Sequence, residues 1–249
     1  MNRVDEGPRL AVFRPDDQRI LDAVSYLESR GCTPIADPLL EIVPTDASPR
    51  SDAEYVIITS KTGVDRLVTV GWDQQDAILC AIGEATATAL QSAGYSVDIV
   101  PAEYTSTGLV QTLDGSIDGK RVEVARSDHG SDRLLDGMID AGGYVHETVL
   151  YRLDRPADAG VSTEAAAEGT LDGVLFTSSL TVEHFLAAAR ERDIEGAVRS
   201  NLADIVVGAI GPPTAETAAD HGITIDVVPD DARFEPLADA VIAAIEGTR

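Results

Sequence analysis

Lysine is almost missing from this 249-residue chain: Lys61 and Lys120 stand against 17 arginines. Aromatic residues make up 4%, with Trp72 the single tryptophan, and the two cysteines, Cys32 and Cys80, lie 48 positions apart. Each shortage excludes something. Two cysteines without a CxxC spacing argue against a disulfide framework and read as buried small hydrophobes. His129, His146, His184 and His221 form no His-x-x-x-His or Cys-His cluster, so no metal and no other cofactor is expected. No apolar stretch approaches the roughly 18 residues of a membrane span. Met1 to Arg9 lacks the apolar centre of a signal peptide, which makes the cytoplasm the expected location. With 43 acidic residues against 19 basic ones the formal charge is −24. That field repels phosphate backbones and anionic lipid, so neither nucleic acid nor a membrane is an expected partner. The nucleotide-binding GxGxxG and GxxxxGK(S/T) patterns and the hydrolase GxSxG pattern are absent as well.

What is present is an alternation. Short β-rich runs recur at Leu10–Phe13, Tyr55–Ile58, Ala77–Ile82, Val122–Ala125, Val174–Phe176 and Ile205–Val207. Segments with helical periodicity lie between them, such as Ile20, Leu21, Val24 and Leu27 on one face. This predicts an α/β fold of parallel sheets flanked by helices, with cores of Val, Ile, Leu and Ala. The array repeats. Ile82-Gly83-Glu84-Ala85-Thr86-Ala87 returns 128 positions later as Ile210-Gly211-Pro212-Pro213-Thr214-Ala215, and Val100-Pro101 as Val228-Pro229. Thr59-Ser60 returns as Thr177-Ser178 at an offset of 118, and Arg14 and Gly31 match Arg126 and Gly143 at 112. The growing offset puts the length differences in connections, where insertions are tolerated. Two extended, proline-bounded segments, 38–45 and 149–156, interrupt the copies and suit a two-stranded connector between lobes. Residues 157–170 read as a loop or a short surface helix.

Six strand ends run into helix starts through small or polar residues: Arg14-Pro15-Asp16, Thr59-Ser60, Gly83 to Thr86, Arg126-Ser127-Asp128, Thr177-Ser178-Ser179 and Gly211 to Thr214. In parallel sheets such junctions gather at the carboxyl edge, where ligands bind. Helix N-termini present free N–H groups and a partial positive charge, so several together suit a polyanion. Any one Ser or Thr there is equally an ordinary helix cap worth about 1 kcal/mol; repetition in both halves is what argues for a shared ligand.

Thr59-Ser60 with Gly63-Val64, Ala81-Ile82-Gly83-x-x-Thr86-Ala87, Arg126-Ser127, Val149-Leu150-Tyr151, Phe176-Thr177-Ser178 with Val182, and Ala209-Ile210-Gly211-Pro212-x-Thr214-Ala215 resemble, in order, the uroporphyrinogen-III synthase family, from about Leu10 to Ile245. The resemblance implies two small flavodoxin- or Rossmann-like lobes joined by a two-stranded β linker. One lobe would be residues 1–37 plus 157–249, the other 46–148. It implies a cyclising lyase of tetrapyrrole biosynthesis that closes hydroxymethylbilane with inversion of the last ring and loss of water, and uses no cofactor or metal. The expected assembly is a monomer, with at most a transient contact to the preceding enzyme of the pathway. By the same resemblance Tyr151 matches a tyrosine that assists departure of the hydroxyl. A phenol, with an ordinary pKa of about 10, is protonated at neutral pH and can donate to a leaving group. Arg14, Ser60, Gly83, Thr86, Arg126, Ser127, Thr177, Ser178, Gly211 and Thr214 become candidate binders of substrate carboxylates. Arg14 and Arg126 could equally pair with Asp16 and Asp128. Where this chain has Pro213, family members often carry a hydroxyl residue. The competing reading is a non-catalytic, bilobed small-molecule-binding or sensor module; a third is a sugar- or nucleotide-modifying enzyme. Finally, acids dispersed over every segment with almost no lysine resemble the surfaces of proteins that work in molar salt.

Overall fold

The computed structural model describes residues 7–248. Two compact units form, Met1–Glu41 with Asp154–Arg249, and Ile42–Leu153. The chain begins with β1 (Arg9–Val12), α1 (Gln18–Ser29) and β2 (Thr33–Ala36). It then enters the second unit through β3 (Glu41–Pro44), followed by β4 (Tyr55–Ile58), α2 (Lys61–Val70), β5 (Ile78–Ala81), α3 (Glu84–Ser92) and α4 (Ser106–Leu113). That unit closes with β6 (Arg121–Ser127), α5 (Asp132–Asp140) and β7 (Tyr144–Asp154). The return to the first unit supplies α6 (Val161–Ala167), β8 (Gly173–Phe176), α7 (Ser179–Glu191), α8 (Glu195–Leu202), β9 (Val206–Ala209), α9 (Pro212–Asp220) and α10 (Phe234–Thr248).

Strand order is β2-β1-β8-β9 in one sheet and β3-β7-β6-β4-β5 in the other. The pairs β1–β2, β1–β8, β8–β9, β4–β5, β4–β6 and β6–β7 are all parallel. Period-two alternation explains why these short apolar runs are strands buried on both faces. Ala11, Phe13, Val174 and Phe176 face one core, built around the stacked rings of Phe13 and Phe176 with Phe185 tilted against them; Leu10, Val12 and Leu175 face the other. In the second unit Val56, Ile58 and Leu79 lie on one side, Tyr55, Ile57 and Cys80 on the other. Burial pushes the Cys80 thiol up to about 12, as expected of a small hydrophobe.

The repeat in the sequence has a counterpart at the edge strands β5 and β9. Isolated parallel bridges join Cys80 to Ile99 and Gly208 to Val227. Asp98 accepts the Leu79 N–H at 2.8 Å, and Asp226 accepts the Val207 N–H at the same distance. All four positions differ by the offset of 128, and each aspartate closes an edge N–H that would otherwise be open to another chain.

Residues 149–154 form the second half of β7, which runs unbroken from Tyr144 to Asp154 and neighbours β3 in the sheet. One expectation needs correction: 157–170 is not a loop or a surface helix, because α6 buries Ser162, Thr163, Ala165 and Ala166. Its alanines pack in the core with Phe185 and Leu202. Small side chains that look like surface in a sequence let this helix lie flush against its neighbours. Asp37, 1% exposed, fixes its start. One carboxylate oxygen accepts the Gly160 N–H at 2.8 Å, and the other accepts the Ser162 N–H at 3.0 Å and the Ser162 hydroxyl. Asp37→Ala strands these donors in a dry site, so it should cost about 2–4 kcal/mol. The melting temperature should fall by roughly 5–15 °C, and Asp37→Asn, which keeps an acceptor, should fall less. An unchanged melting curve for Asp37→Ala would show that the cap carries no stability.

Candidate active site at the carboxyl ends of the strands

In the unit Ile42–Leu153, β4 ends at Ile58 and Ser60 caps α2, accepting the Gly63 N–H on its hydroxyl oxygen at 3.0 Å. The same oxygen lies 2.9 Å from the Tyr151 hydroxyl. Two residues 91 positions apart are thereby joined, and the phenol is linked to the amino end of a helix. Tyr151 is 6% exposed. Its placement depends on an irregularity: the β6–β7 register steps from Arg126 opposite Val149 to Ser127 opposite Tyr151, skipping Leu150. Alternation alone would send Leu150 and Tyr151 to opposite faces, yet both pack in one core with Val64 and Leu67. The bulge re-aims the tyrosine toward Ser60.

Gly83 and Thr86 sit at the next strand end. Gly83 caps α3 in an extended conformation without a side-chain hydrogen bond, and Thr86 is buried in the first turn. A Cβ on Gly83 would come within 3.0 Å of the Tyr104 side chain, so the close approach of that ring accounts for the glycine. Ser127 is buried at the end of β6. The neighbouring Asp128 accepts the Leu153 N–H at 3.0 Å and pairs with His129 at 2.9 Å. Partial burial would raise the Asp128 pKa, but these two donors outweigh it and hold the carboxyl below its ordinary range. Arg126 points inward. Its side chain is 3% exposed, with Nε on Glu147 at 2.6 Å and a terminal nitrogen on the Ser131 carbonyl at 2.6 Å. Its nearest carboxylate besides Glu147 is Asp132 at 3.6 Å, so Asp128 is not its partner.

In the other unit, Arg14 follows β1 and stacks 5.2 Å from the centre of the Phe234 ring. Its Nε is buried without a hydrogen-bond partner, and burial is the main cause that lowers its pKa. Asp16 does not pair with it. The cap of α1 is Asp17, which accepts the Arg19 N–H and pairs with the Arg19 guanidinium at 2.6 Å. The Thr177 hydroxyl donates to the Phe13 carbonyl. Ser178 accepts the Thr181 N–H at 3.3 Å in a reciprocal capping box at the start of α7. Gly211 caps α9, and Thr214 is 4% exposed in its first turn. Pro212 and Pro213 open that helix, so two backbone donors expected near Gly211 do not exist. At α9 the first free N–H belongs to Thr214. Asp17, Phe234 and the bond between Ser60 and Tyr151 are missing from the sequence-derived set. Of these, only Asp17, five residues after the end of β1 and just before a helical pattern, carries a recognisable signal.

Two parallel-dominated sheets, each with hydroxyl- or glycine-capped helices following its strand ends, define a two-unit α/β protein. A family model, Uroporphyrinogen-III synthase HemD, matches residues 22–239. The chain is 33% identical over 231 residues to the putative uroporphyrinogen-III synthase of Methanothermobacter thermautotrophicus, covering 86% of this chain and 90% of that protein. It is 24% identical to the uroporphyrinogen-III synthase of Chlorobaculum parvum, covering 94% of this chain and 98% of that one. Among solved structures, a mutant uroporphyrinogen III synthase from the extremely thermophilic bacterium Thermus thermophilus superposes with a TM-score of 0.70 at 19% identity, covering 98% of this chain and 100% of that one. Uroporphyrinogen-III synthetase from Helicobacter pylori gives 0.61 at 16% identity, with 98% and 100% covered. This chain belongs to the uroporphyrinogen-III synthase family.

Proposed function

We propose that the chain converts hydroxymethylbilane to uroporphyrinogen III, and that Tyr151 assists loss of the hydroxyl. The observation that carries this reading is the pair of hydrogen bonds at the Ser60 oxygen, one accepted from the Gly63 N–H and one shared with the Tyr151 hydroxyl. In the reading proposed, Ser60 is the donor of the second bond and gives its proton to the Tyr151 oxygen. The phenolic proton is then free for the substrate hydroxyl, which departs as water. Charge developing on the phenolate is met by the Ser60 O–H and, behind it, the amino end of α2. The closing ring releases one proton, which restores the phenol. Loss of hydroxide beside a pyrrole is intrinsically easy, and the free bilane closes by itself without inversion. The protein's main task is therefore to hold a folded substrate, by positioning and preorganised donors. Ser127, Thr177, Ser178, Thr86, Thr214, the α3 amides after Gly83 and the unpaired Arg14 are the groups we assign to substrate carboxylates. Arg126 supports the Ser127 strand end from inside, and Gly211 contributes through its extended cap conformation.

The sensor-module alternative is not favoured, because the family model and the relatives are named as synthases. Among the described residues no helix is long and apolar enough to cross a membrane. We place the enzyme in the cytoplasm as a monomer, in transient contact at most with the enzyme that supplies its unstable substrate. The test is to incubate the protein in high salt with freshly generated hydroxymethylbilane, oxidise the product and resolve the uroporphyrin isomers. Type III is expected; a product that stays wholly type I would falsify the synthase reading.

A further inference from the structure

At the amino edge of the five-stranded sheet, the opposite end from Ser60 and Tyr151, lies a cluster with no part in the site above. Glu123, in the middle of β6, is 1% exposed. A carboxylate there is costly, since a strand with parallel neighbours on both sides ordinarily carries apolar residues. The register sets it opposite His146 on β7. His146 Nδ1 lies 2.9 and 3.1 Å from the two carboxylate oxygens, and Thr148 donates its hydroxyl to the same group. A carboxylate only accepts, so the tautomer that this contact favours carries its proton on Nδ1 and presents Nε2 as the acceptor. The His146 side chain is 48% exposed. It lines a cavity of about 470 Å³ together with Arg50, Arg121 and Tyr144, a volume in the range of small-molecule sites.

The two arginines are only partly engaged. Arg121 Nε donates to the Asp52 carbonyl, and its terminal nitrogens come no closer to a carboxylate than 3.6 Å, at Glu54. Arg50 meets Asp52 through Nε at 3.2 Å, which leaves its terminal nitrogens without a hydrogen bond among the described residues. Against a chain at −24, the cavity thus gathers two arginines with free N–H donors, a histidine acceptor held in one tautomer, and an exposed aromatic ring. We propose that this cavity binds a planar heteroaromatic carboxylate bearing a ring N–H, with its carboxylate on Arg50 and Arg121, its N–H on His146 Nε2 and its ring against Tyr144. Asp52 and Glu123 do not oppose the ligand's charge unanswered, since each already accepts hydrogen bonds or ion pairs from the protein. The inference is independent of the synthase reading.

Indole-2-carboxylate is the probe, titrated calorimetrically into the full chain in molar KCl. Saturable one-to-one binding is expected. Arg121→Gln, an exposed position whose change should leave the fold intact, should weaken it by about tenfold, the loss of one charge-assisted contact. Methylating the indole nitrogen should weaken it by a similar factor, whereas Tyr151→Phe, at the other edge, should leave it unchanged. The proposal is overturned by the absence of saturable binding in the millimolar range. It is equally overturned by binding that survives both Arg121→Gln and N-methylation, which would leave Glu123, His146 and Thr148 as a device that pins the β6–β7 register. Loss of binding in Tyr151→Phe would move the probe to the catalytic edge and overturn it too.

Discussion

Tyr151→Phe is expected to lower kcat by roughly 10- to 100-fold, with KM little changed and the melting temperature lowered by no more than a few degrees. The size follows from the chemistry. General acid help typically contributes about 10²–10⁴, and a leaving group that departs readily needs no more than the low end of that range and less where it departs most easily. The kinetic pattern follows from when the bond matters, because in the role proposed for Tyr151 the phenolic proton is transferred as the C–O bond breaks and adds little to ground-state binding. Stability should hold because phenylalanine keeps the ring in its place beside Val64 and Leu67. Ser60 also keeps its bond to the Gly63 N–H, so one neutral hydrogen bond worth about 1 kcal/mol is lost. Ser60→Ala should reduce kcat by a smaller factor, about 3- to 10-fold, since it removes the support and leaves the acid. It should also lose about 1 kcal/mol of stability with the cap. Initial rates of type III formation and thermal melts of the three proteins check both. A Tyr151→Phe enzyme as fast as the parent would reduce the tyrosine to a packing residue, and a Ser60→Ala enzyme with the parent kcat would break the link to α2.

The strands that build both sheets are legible in the sequence because a parallel strand buried on two faces must be a short continuous apolar run, as Tyr55-Val56-Ile57-Ile58 is. The strand-end turns are legible for a similarly local reason: Ser60 and Ser178 cap the helices that follow them. What escapes a sequence reading depends on distant partners. β2 gives no clear strand signal, because Thr33–Ala36 lies partly exposed at the sheet edge and carries a proline. Asp37 reads in sequence as one more acid of a very acidic chain, and its burial becomes visible only when Gly160 and Ser162 arrive from more than a hundred residues away. Tyr151 stands out only through the family resemblance, since no spacing rule connects it to Ser60. The skipped Leu150 also breaks the period-two pattern that would have placed its side chain. For Arg126 a carboxylate partner is expected and found, but its identity differs, because cross-strand Glu147 reaches the guanidinium where the sequence neighbour Asp128 does not.

Raising KCl from about 0.1 M to molar concentration is expected to raise the melting temperature by on the order of 10 °C and to lower the KM for hydroxymethylbilane. At about 0.1 M the Debye length is roughly 10 Å, so the excess acids of a −24 surface still repel one another over several neighbours. They also repel a polycarboxylate arriving from solution. The ion pairs that interleave them are mostly exposed, as in Arg19–Asp17 at 50% and 41% or Arg50–Asp52 at 55% each, and such pairs contribute little. Near 1 M the screening length is about 3 Å, shorter than most separations between like charges but comparable to a hydrogen bond. Repulsion therefore fades, while the contacts proposed from helix amino ends to a substrate carboxylate should persist, because they would act at contact distance. Relief of several kcal/mol of self-repulsion corresponds to about 2–4 °C per kcal/mol for a chain of this length, which sets the expected shift. Because the same screening acts on folding and on substrate approach, the two responses should track each other across the salt series. Melting curves and steady-state kinetics at matched KCl concentrations check this, with potassium sulfate as a control for general exclusion effects, since a purely electrostatic gain follows ionic strength. A melting temperature that is flat or falling with KCl would show that repulsion among these acids does not limit stability, and a KM that ignores KCl would show that the surface charge does not reach the substrate.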